Sequence, residues 1–354
     1  MESFTHPQAR RLCDLLGTRW PLIQAPMAGV QLSALAVAVS ECGALGSLPC
    51  AMLSNDGINA ECAAIRAATR APFNANFFCH VPPVPDAVRE AAWRHALSRY
   101  FAECGIDPAS IPAGAGRNPF TQEAAEVLSA FAPRVVSFHF GLPQPALLER
   151  VRAWDAAILS SATTVEEALW LEAQGVDAII AQGVEAGGHR GMFLTADLAS
   201  QPSLWELLPD VVDAVGVPVI AAGGIANAQA VRRAMSLGAA GVQVGTAYLL
   251  CPEATTSPIH RAALADVARE TALTNLFTGR PARGLVNRLM RDLGPIHAAA
   301  PEFPLATAAI APLRAAAEKL GRKDFSPLWS GTDRSGCAAV PAAQITAGLV
   351  RGFE

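Results

Sequence analysis

The sequence predicts an α/β protein: a (β/α)8 TIM barrel with an insertion after the third strand and a helical C-terminal extension. Three observations predict it. Eight short β-rich runs recur along the 354 residues, most of them near-continuously apolar, as parallel strands buried on both faces are. Segments with helix signals separate most of these runs, which gives the strand–helix alternation of a barrel. Hydrophobic residues make up 51% of the chain and charged residues 16%, so a large core can be buried and whole-chain disorder is excluded.

The runs lie at 21–27 (PLIQAPM), 43–49 (GALGSLP), 73–78 (FNANFF), 135–140 (VVSFHF), 156–162 (AAILSSA), 177–183 (DAIIAQG), 218–224 (PVIAAGG) and 239–246 (AAGVQVGT). After the fifth, Thr163 and Thr164 precede Glu166 and Glu167, a hydroxyl cap followed by acids in the first turn. After the seventh, Asn227 caps a helix that runs to Leu237 and stops at Gly238. Residues 79–134 are too many for one helix and include the soft stretch 111–119 (IPAGAGRNP). Residues 252–354 follow the eighth run and read as mainly helical and proline-punctuated. The expected organisation is a barrel over 1–251 with an insertion at 79–134, and an extension over 252–354 packed at the barrel mouth. A doubly wound sheet also fits the spacing and stays open.

Composition removes several functions. Net charge is −4 with no basic block, so no nucleic-acid partner is expected. The N-terminal stretch has no apolar signal region, and the cysteines at 13, 42, 50, 62, 79, 104, 251 and 337 form no CxxC, as in a reduced cytoplasmic protein. The uncharged run 20–40 is long enough to span a bilayer. It holds Pro21, Gln24, Pro26, Gly29 and Gln31, and a buried strand followed by a buried helix explains it better, so no membrane is expected. The only lysines are Lys319 and Lys323, far from any strand end, which disfavours a Schiff-base aldolase. No HxH or HExxH occurs, so no metal site is expected. Glu185 is the one carboxylate at a strand end, where glycoside hydrolysis needs two.

Barrel active sites lie where strands end. Glycine, amide, hydroxyl and histidine remain there, a set suited to a large neutral ring system with a phosphate tail. Gly223 and Gly224 follow the seventh run, and Gly245 and Thr246 the eighth. These two loops commonly bind phosphate, through backbone N–H groups and a helix N-terminus. The plain alternative is that these glycines only make tight turns. In the stretch 182–191, Gly187 and Gly188 let the backbone run flat against a ligand, with His189 over it as general base or as donor to a substrate anion. Arg190 adds positive charge there or is merely solvated. Strand alternation puts Ser137 and His139 on one face, so His139 faces the pocket or is a hydrogen-bonded core residue. Asn76 bonds a flavin edge or caps a turn, and Met27 packs on a ring or is ordinary core.

These residues resemble the nitronate monooxygenases, formerly called 2-nitropropane dioxygenases, and most closely their class I members. The matching stretches are IQAPMAGV at 23–30, SFHFGLP at 137–143, AQGVEAGGHRG at 181–191, PVIAAGGI with GVQVGT within 218–246, GRPARGLVN at 279–287 and FSPLWSG at 325–331. The resemblance implies an FMN-binding barrel. Its flavin contacts fall here on Ala25, Pro26, Met27, Asn76, Gln182, Gly187, Gly224, Gln243, Val244, Gly245 and Thr246, and its catalytic histidine on His189. His139 and Arg190 are the candidate substrate residues. The implied reaction is oxidation of alkyl nitronates of the propionate 3-nitronate type with dioxygen. One electron passes to FMN to give a flavin semiquinone, and a carbonyl compound and nitrite leave. The superfamily also contains NADH-dependent quinone and enoyl-carrier-protein reductases, and a flavoprotein that only binds FMN is a further alternative. Two departures bear on the substrate: the family's pockets are rich in tyrosine and hold a lysine, whereas this chain has only Tyr100 and Tyr248, and an expected WSGQ ends here in Thr332. The oligomeric state is open, a homo-oligomer included.

Overall fold

The computed structural model describes residues 7–111 and 117–354, so the middle of the soft stretch, 112–116, lies outside the described residues. All eight expected runs contain a barrel strand: β1 (Leu22–Gln24), β2 (Gly46–Pro49), β3 (Phe73–Phe78), β4 (Val135–His139), β5 (Ala157–Ala162), β6 (Ala178–Gln182), β7 (Val219–Ala222) and β8 (Gly241–Val244). They pair in parallel in the order β1-β8-β7-β6-β5-β4-β3-β2. A parallel bridge from Ile23 to Leu45 closes the ring, which settles the barrel against the doubly wound sheet. Most strands are shorter than the runs that predict them. The trailing residues, such as Ala25 to Met27 after β1, are the loops of the mouth.

Period-two alternation divides each strand between two apolar environments. Ile158, Ile179, Val219 and Val242 face the surrounding helices. Ile23, Leu45, Val135, Leu159 and Ile220 fill the lower interior, where Leu12 and Leu16 of the helix Pro7–Leu16 close the floor. Higher up, the interior turns polar. Asn74 Nδ2 donates to Ser47 Oγ at 3.0 Å, while on the face of β1 opposite Ile23 Gln24 Nε2 donates to Gln31 Oε1 at 2.6 Å. The two glutamines inside the uncharged run 20–40 therefore satisfy one another. Among the described residues no helix is long and apolar enough to cross a membrane.

Several ring helices begin at side-chain caps that offset unpaired N–H groups. Ser54, Thr121, Thr164 and Asn227 each accept a bond from the backbone N–H three residues on. The helix Gln122–Ser129, late in the insertion, joins this ring. So does Ala342–Val350 at the chain's end, whose Ala342, Leu349 and Val350 share the core of the barrel strands. Other parts of the two added segments meet in a second core. Trp93, Tyr100 and Phe101 from the insertion pack with Leu276, Leu313 and Phe325 from beyond β8. This outer lobe is tied to the mouth by a small antiparallel sheet of Thr271–Thr274, Ala282–Leu285 and Gly188–His189. All the cysteines are free thiols.

Candidate active site at the barrel mouth

A cleft of about 1300 Å³, its open entrance included, lies over the C-terminal ends of the strands. Ala25, Pro26, Met27, Asn76, His139, Gln182, Gly187, His189, Gly223, Gly224, Gln243, Gly245 and Thr246 all line it.

At one end the backbone is drawn close. Gly223 and Gly224 have φ of +115° and +65°, which side chains rarely adopt. A Cβ on Gly187 would stand 2.5 Å from the Gly331 nitrogen, so only glycine fits where the 183–188 loop meets the segment 330–332. Thr246 Oγ1 accepts from the Gly331 N–H at 2.9 Å. Beside these loops, Asn227 caps the helix Ala228–Ser236.

In the middle, Asn76 Nδ2 donates to Ser137 Oγ at 2.9 Å, which fixes the amide. Gln243 Oε1 is buried in the wall with no partner among the described residues. A buried acceptor left unbonded is costly, so this oxygen calls for a donor from a ligand.

His189 stands on the short strand Gly188–His189. Its ring lies among Phe78, Phe140, Phe303 and Trp329, with centroids 5.3–6.0 Å away. Nε2 is 3.0 Å from Thr278 Oγ1, which leaves Nδ1 as the ring atom available to a ligand. Burial first, then the positive charge of Arg117, holds the imidazole well below its usual proton affinity, so it is neutral at physiological pH. The backbone is held independently. The His189 carbonyl accepts from Gln182 Nε2 and His139 Nε2, each at 3.1 Å. Gln182 Oε1 accepts from the Gly191 N–H at 2.8 Å, so both ends of that amide clamp the loop.

Two expected residues lie elsewhere. Arg190 is fully buried and points away from the cleft. Nη1 donates to the Gly183 carbonyl at 2.6 Å, Nη2 to the Gln182 carbonyl at 2.7 Å and Nε to Gln201 Oε1 at 3.1 Å. It is neither solvated nor set toward a substrate, because successive residues of an extended strand point to opposite sides, and His189 takes the cleft side. Val244 faces the helices, as alternation with Gln243 and Gly245 requires. His139 does face the cleft, yet both its ring nitrogens are engaged, Nδ1 with Ser161 Oγ at 3.1 Å. Glu185 spends its carboxylate on the Leu204 N–H at 2.9 Å.

Sequence reasoning missed Arg117, His260 and Trp329, which also line the cleft. All three come from the added segments, where no strand end marks them. It also missed the structural use of Glu167. That buried carboxylate accepts from Thr163 N and Oγ1, both at 2.7 Å, and from the Leu194 N–H at 3.1 Å, tying β5 to the loop after Arg190. Among the described residues no cluster of His, Cys, Asp or Glu could hold a metal ion.

The family model for nitronate monooxygenase matches residues 9–352. A nitronate monooxygenase of Pseudomonas aeruginosa is 39% identical over 346 residues, covering 96% of this chain and 98% of its own length. One of Paraburkholderia phytofirmans is 38% identical, covering 98% and 95%. The solved structure of nitroalkane oxidase from Streptomyces ansochromogenes superposes with a TM-score of 0.88 at 37% identity, covering 97% of each chain. FabK from Thermotoga maritima shares the fold, with a TM-score of 0.71 at 24% identity over 97% and 95%.

Proposed function

Because the chain belongs to the nitronate monooxygenase family, and is thereby an oxidoreductase, we propose that it oxidises alkyl nitronates of the propionate 3-nitronate type with dioxygen, on FMN held at the barrel mouth. The residues present fit that group. The turn at Gly223 and Gly224, with Gly245 and Thr246, suits a phosphate tail, which backbone N–H groups can approach closely. The unpartnered Gln243 Oε1 matches a ring-edge N–H donor, and Gly187 lets the 183–188 loop pack directly on the 330–332 backbone at the cleft wall. Val244 turns its side chain to the helices and can contribute only backbone. When bound, the flavin supplies the electron acceptor, and the protein supplies position and electrostatics.

The observation that carries the reading is the placement of His189. Its ring is enclosed by aromatic side chains, neutral, anchored through Nε2 and available through Nδ1. A neutral imidazole can accept the Cα proton of a nitroalkane, or hold a protonated substrate group, without adding a second negative charge. The surrounding phenyl rings exclude water from the same space. Gln182 and His139 keep the ring's backbone fixed while the substrate exchanges.

The test is an anaerobic visible spectrum of the purified, flavin-loaded protein, with propionate 3-nitronate and NADH added to separate samples. The expected result is reduction of the flavin by the nitronate and not by NADH, with nitrite released once oxygen is admitted. Bleaching by NADH alone would move the protein to the reductase chemistry, and a flavin that neither reagent reduces would leave only a binding protein.

A further inference from the structure

We propose that Arg117 is a specificity-determining residue, which binds the carboxylate of an acid-bearing substrate and sets its reactive end toward His189. The inference rests on the nitronate reading and goes beyond it, because it assigns the binding of a second charged group to one residue of the outer wall.

Arg117 lies within the soft stretch of the insertion, just after residues 112–116, and lines the cleft. Among the described residues no carboxylate pairs with it. Its Nη1 is buried without a partner. The charged neighbour that most affects it is another cation, Arg314. A half-buried guanidinium whose Nη1 is enclosed with neither counter-ion nor hydrogen bond is costly, unless an anion completes it. Burial lowers its proton affinity to about 10, so it stays charged at neutral pH.

The group is also positioned. His80 Nε2 donates to the Arg117 carbonyl at 3.1 Å. The guanidinium lies 5.5 Å from the centre of the Phe303 ring, whose other neighbours include His189 at 5.3 Å and His80 at 4.8 Å. Arg117 and His189 thus border one phenyl ring. Arg117 is also the largest charge influence on His189 after burial, so an anion on one is felt by the other. The other cation in this region, Arg280, is stacked 4.0 Å from Phe140 and donates to the Met192 carbonyl. The chain's two tyrosines are spent elsewhere, Tyr248 on Thr346 and Tyr100 on Asp292. Arg117 is therefore the donor best placed to receive a carboxylate, by bidentate pairing in a low-dielectric setting.

The experiment compares kcat/KM for propionate 3-nitronate and for the nitronate of 1-nitropropane, which has the same length and no carboxylate. It uses the flavin-loaded enzyme and its Arg117→Gln and Arg117→Lys variants. The expected result is that the ratio of the two constants falls about 30-fold in Arg117→Gln and recovers in part in Arg117→Lys. A ratio unchanged in both variants overturns the proposal. A second arm needs no turnover: calorimetric titration with succinate, which does not react. Wild type is expected to bind it about 10-fold or more tightly than Arg117→Gln. Equal binding overturns the proposal. If wild type turns over neither nitronate, the functional reading fails, while the succinate arm still decides Arg117. If Arg117→Gln does not fold, Arg117→Lys carries both arms.

Discussion

The ring of His139 donates its Nε2 proton to the backbone carbonyl of His189 across 3.1 Å. A carbonyl can only accept, so this bond fixes the tautomer. Nδ1 is then the acceptor and takes the Ser161 hydroxyl proton at 3.1 Å. Burial pushes the His139 ring down to about 4, in keeping with a neutral group. His139 is thus a positioning residue, which holds the main chain that carries the His189 ring. In His139→Ala the carbonyl keeps only the Gln182 donor. The expected outcome is a fall of about 10- to 100-fold in kcat/KM for nitronate, with flavin content unchanged. Steady-state kinetics beside flavin absorbance checks this, and loss of flavin would assign His139 to the cofactor instead.

His189→Asn removes the Nδ1 acceptor and keeps a polar group of smaller size. The expected loss is about 100- to 1000-fold in turnover when the neutral nitroalkane is supplied in place of the nitronate, the range for removing one positioned proton acceptor or donor. Rapid-mixing measurement of flavin reduction separates this step from product release. Unchanged reduction would remove His189 from the chemistry.

Gly187→Ala tests the close approach of the loop to residues 330–332. The added methyl would meet the Gly331 nitrogen at 2.5 Å and the Ser330 carbonyl carbon at 2.6 Å, both backbone atoms that cannot swing aside. One of the two segments must move. Expected outcomes are a loss of about 1–3 kcal/mol in unfolding free energy and a lower flavin content at equal protein concentration. Denaturant titration and absorbance measure them, and full flavin retention would show that this loop contact does not shape the cofactor site.

How much of this was legible depends on what each residue had to satisfy. The barrel strands were readable because Ile158 and Leu159 are both buried, one outward and one inward, and such runs stay apolar throughout. The mouth was readable because Gly223, Gly224 and Thr246 sit directly after strands. That the Val244 side chain faces away from the cleft follows from alternation alone. The burial of Arg190 does not, since it depends on two carbonyls seven and eight residues earlier, reached only after the chain doubles back. Arg117 and His260 enter the cleft from added segments that follow no repeat. The helix Ala342–Val350 completes the ring through contacts with Ser33–Ser40, at the opposite end of the chain, and nothing local announces it.

Four enclosed histidines set the acid limit of the fold. Burial, the largest cause in each, pushes His80, His139 and His260 down to about 4, and His189 well below its usual value. In the unfolded chain each titrates near ~6.5. Below that pH the unfolded state binds more protons than the folded one, so stability falls as pH falls. The contribution is fully present above ~6.5 and is lost toward about 4. Melting temperature is therefore expected to drop steeply between pH ~6.5 and ~5, before most carboxylates begin to protonate. Replacing His260, which bonds the Trp329 carbonyl at 3.1 Å, by Gln should flatten that slope. A melting temperature constant over this window would mean that these rings protonate as freely in the folded chain as in the unfolded one.

Arg190 and Arg117 make opposite demands on the same assay. Arg190 is fully buried and hydrogen-bonded to two carbonyls and one amide oxygen, and it joins the end of β6 to the segment that returns past His189. Its planar fork serves all three acceptors at once. The single ammonium of lysine is shorter and cannot reproduce that geometry. Arg190→Lys should therefore lower unfolding free energy by about 2–4 kcal/mol, the scale of losing charge-assisted bonds inside a protein. It should leave the ratio of kcat/KM between propionate 3-nitronate and the nitronate of 1-nitropropane where it was, since no part of the guanidinium lines the cleft. Arg117→Lys should shift that ratio, because its guanidinium is unpaired and borders the ring beside His189. Denaturant titration and the two-substrate ratio, measured on both variants, separate a structural arginine from a selective one. A shifted ratio in Arg190→Lys at unchanged stability would return Arg190 to the substrate.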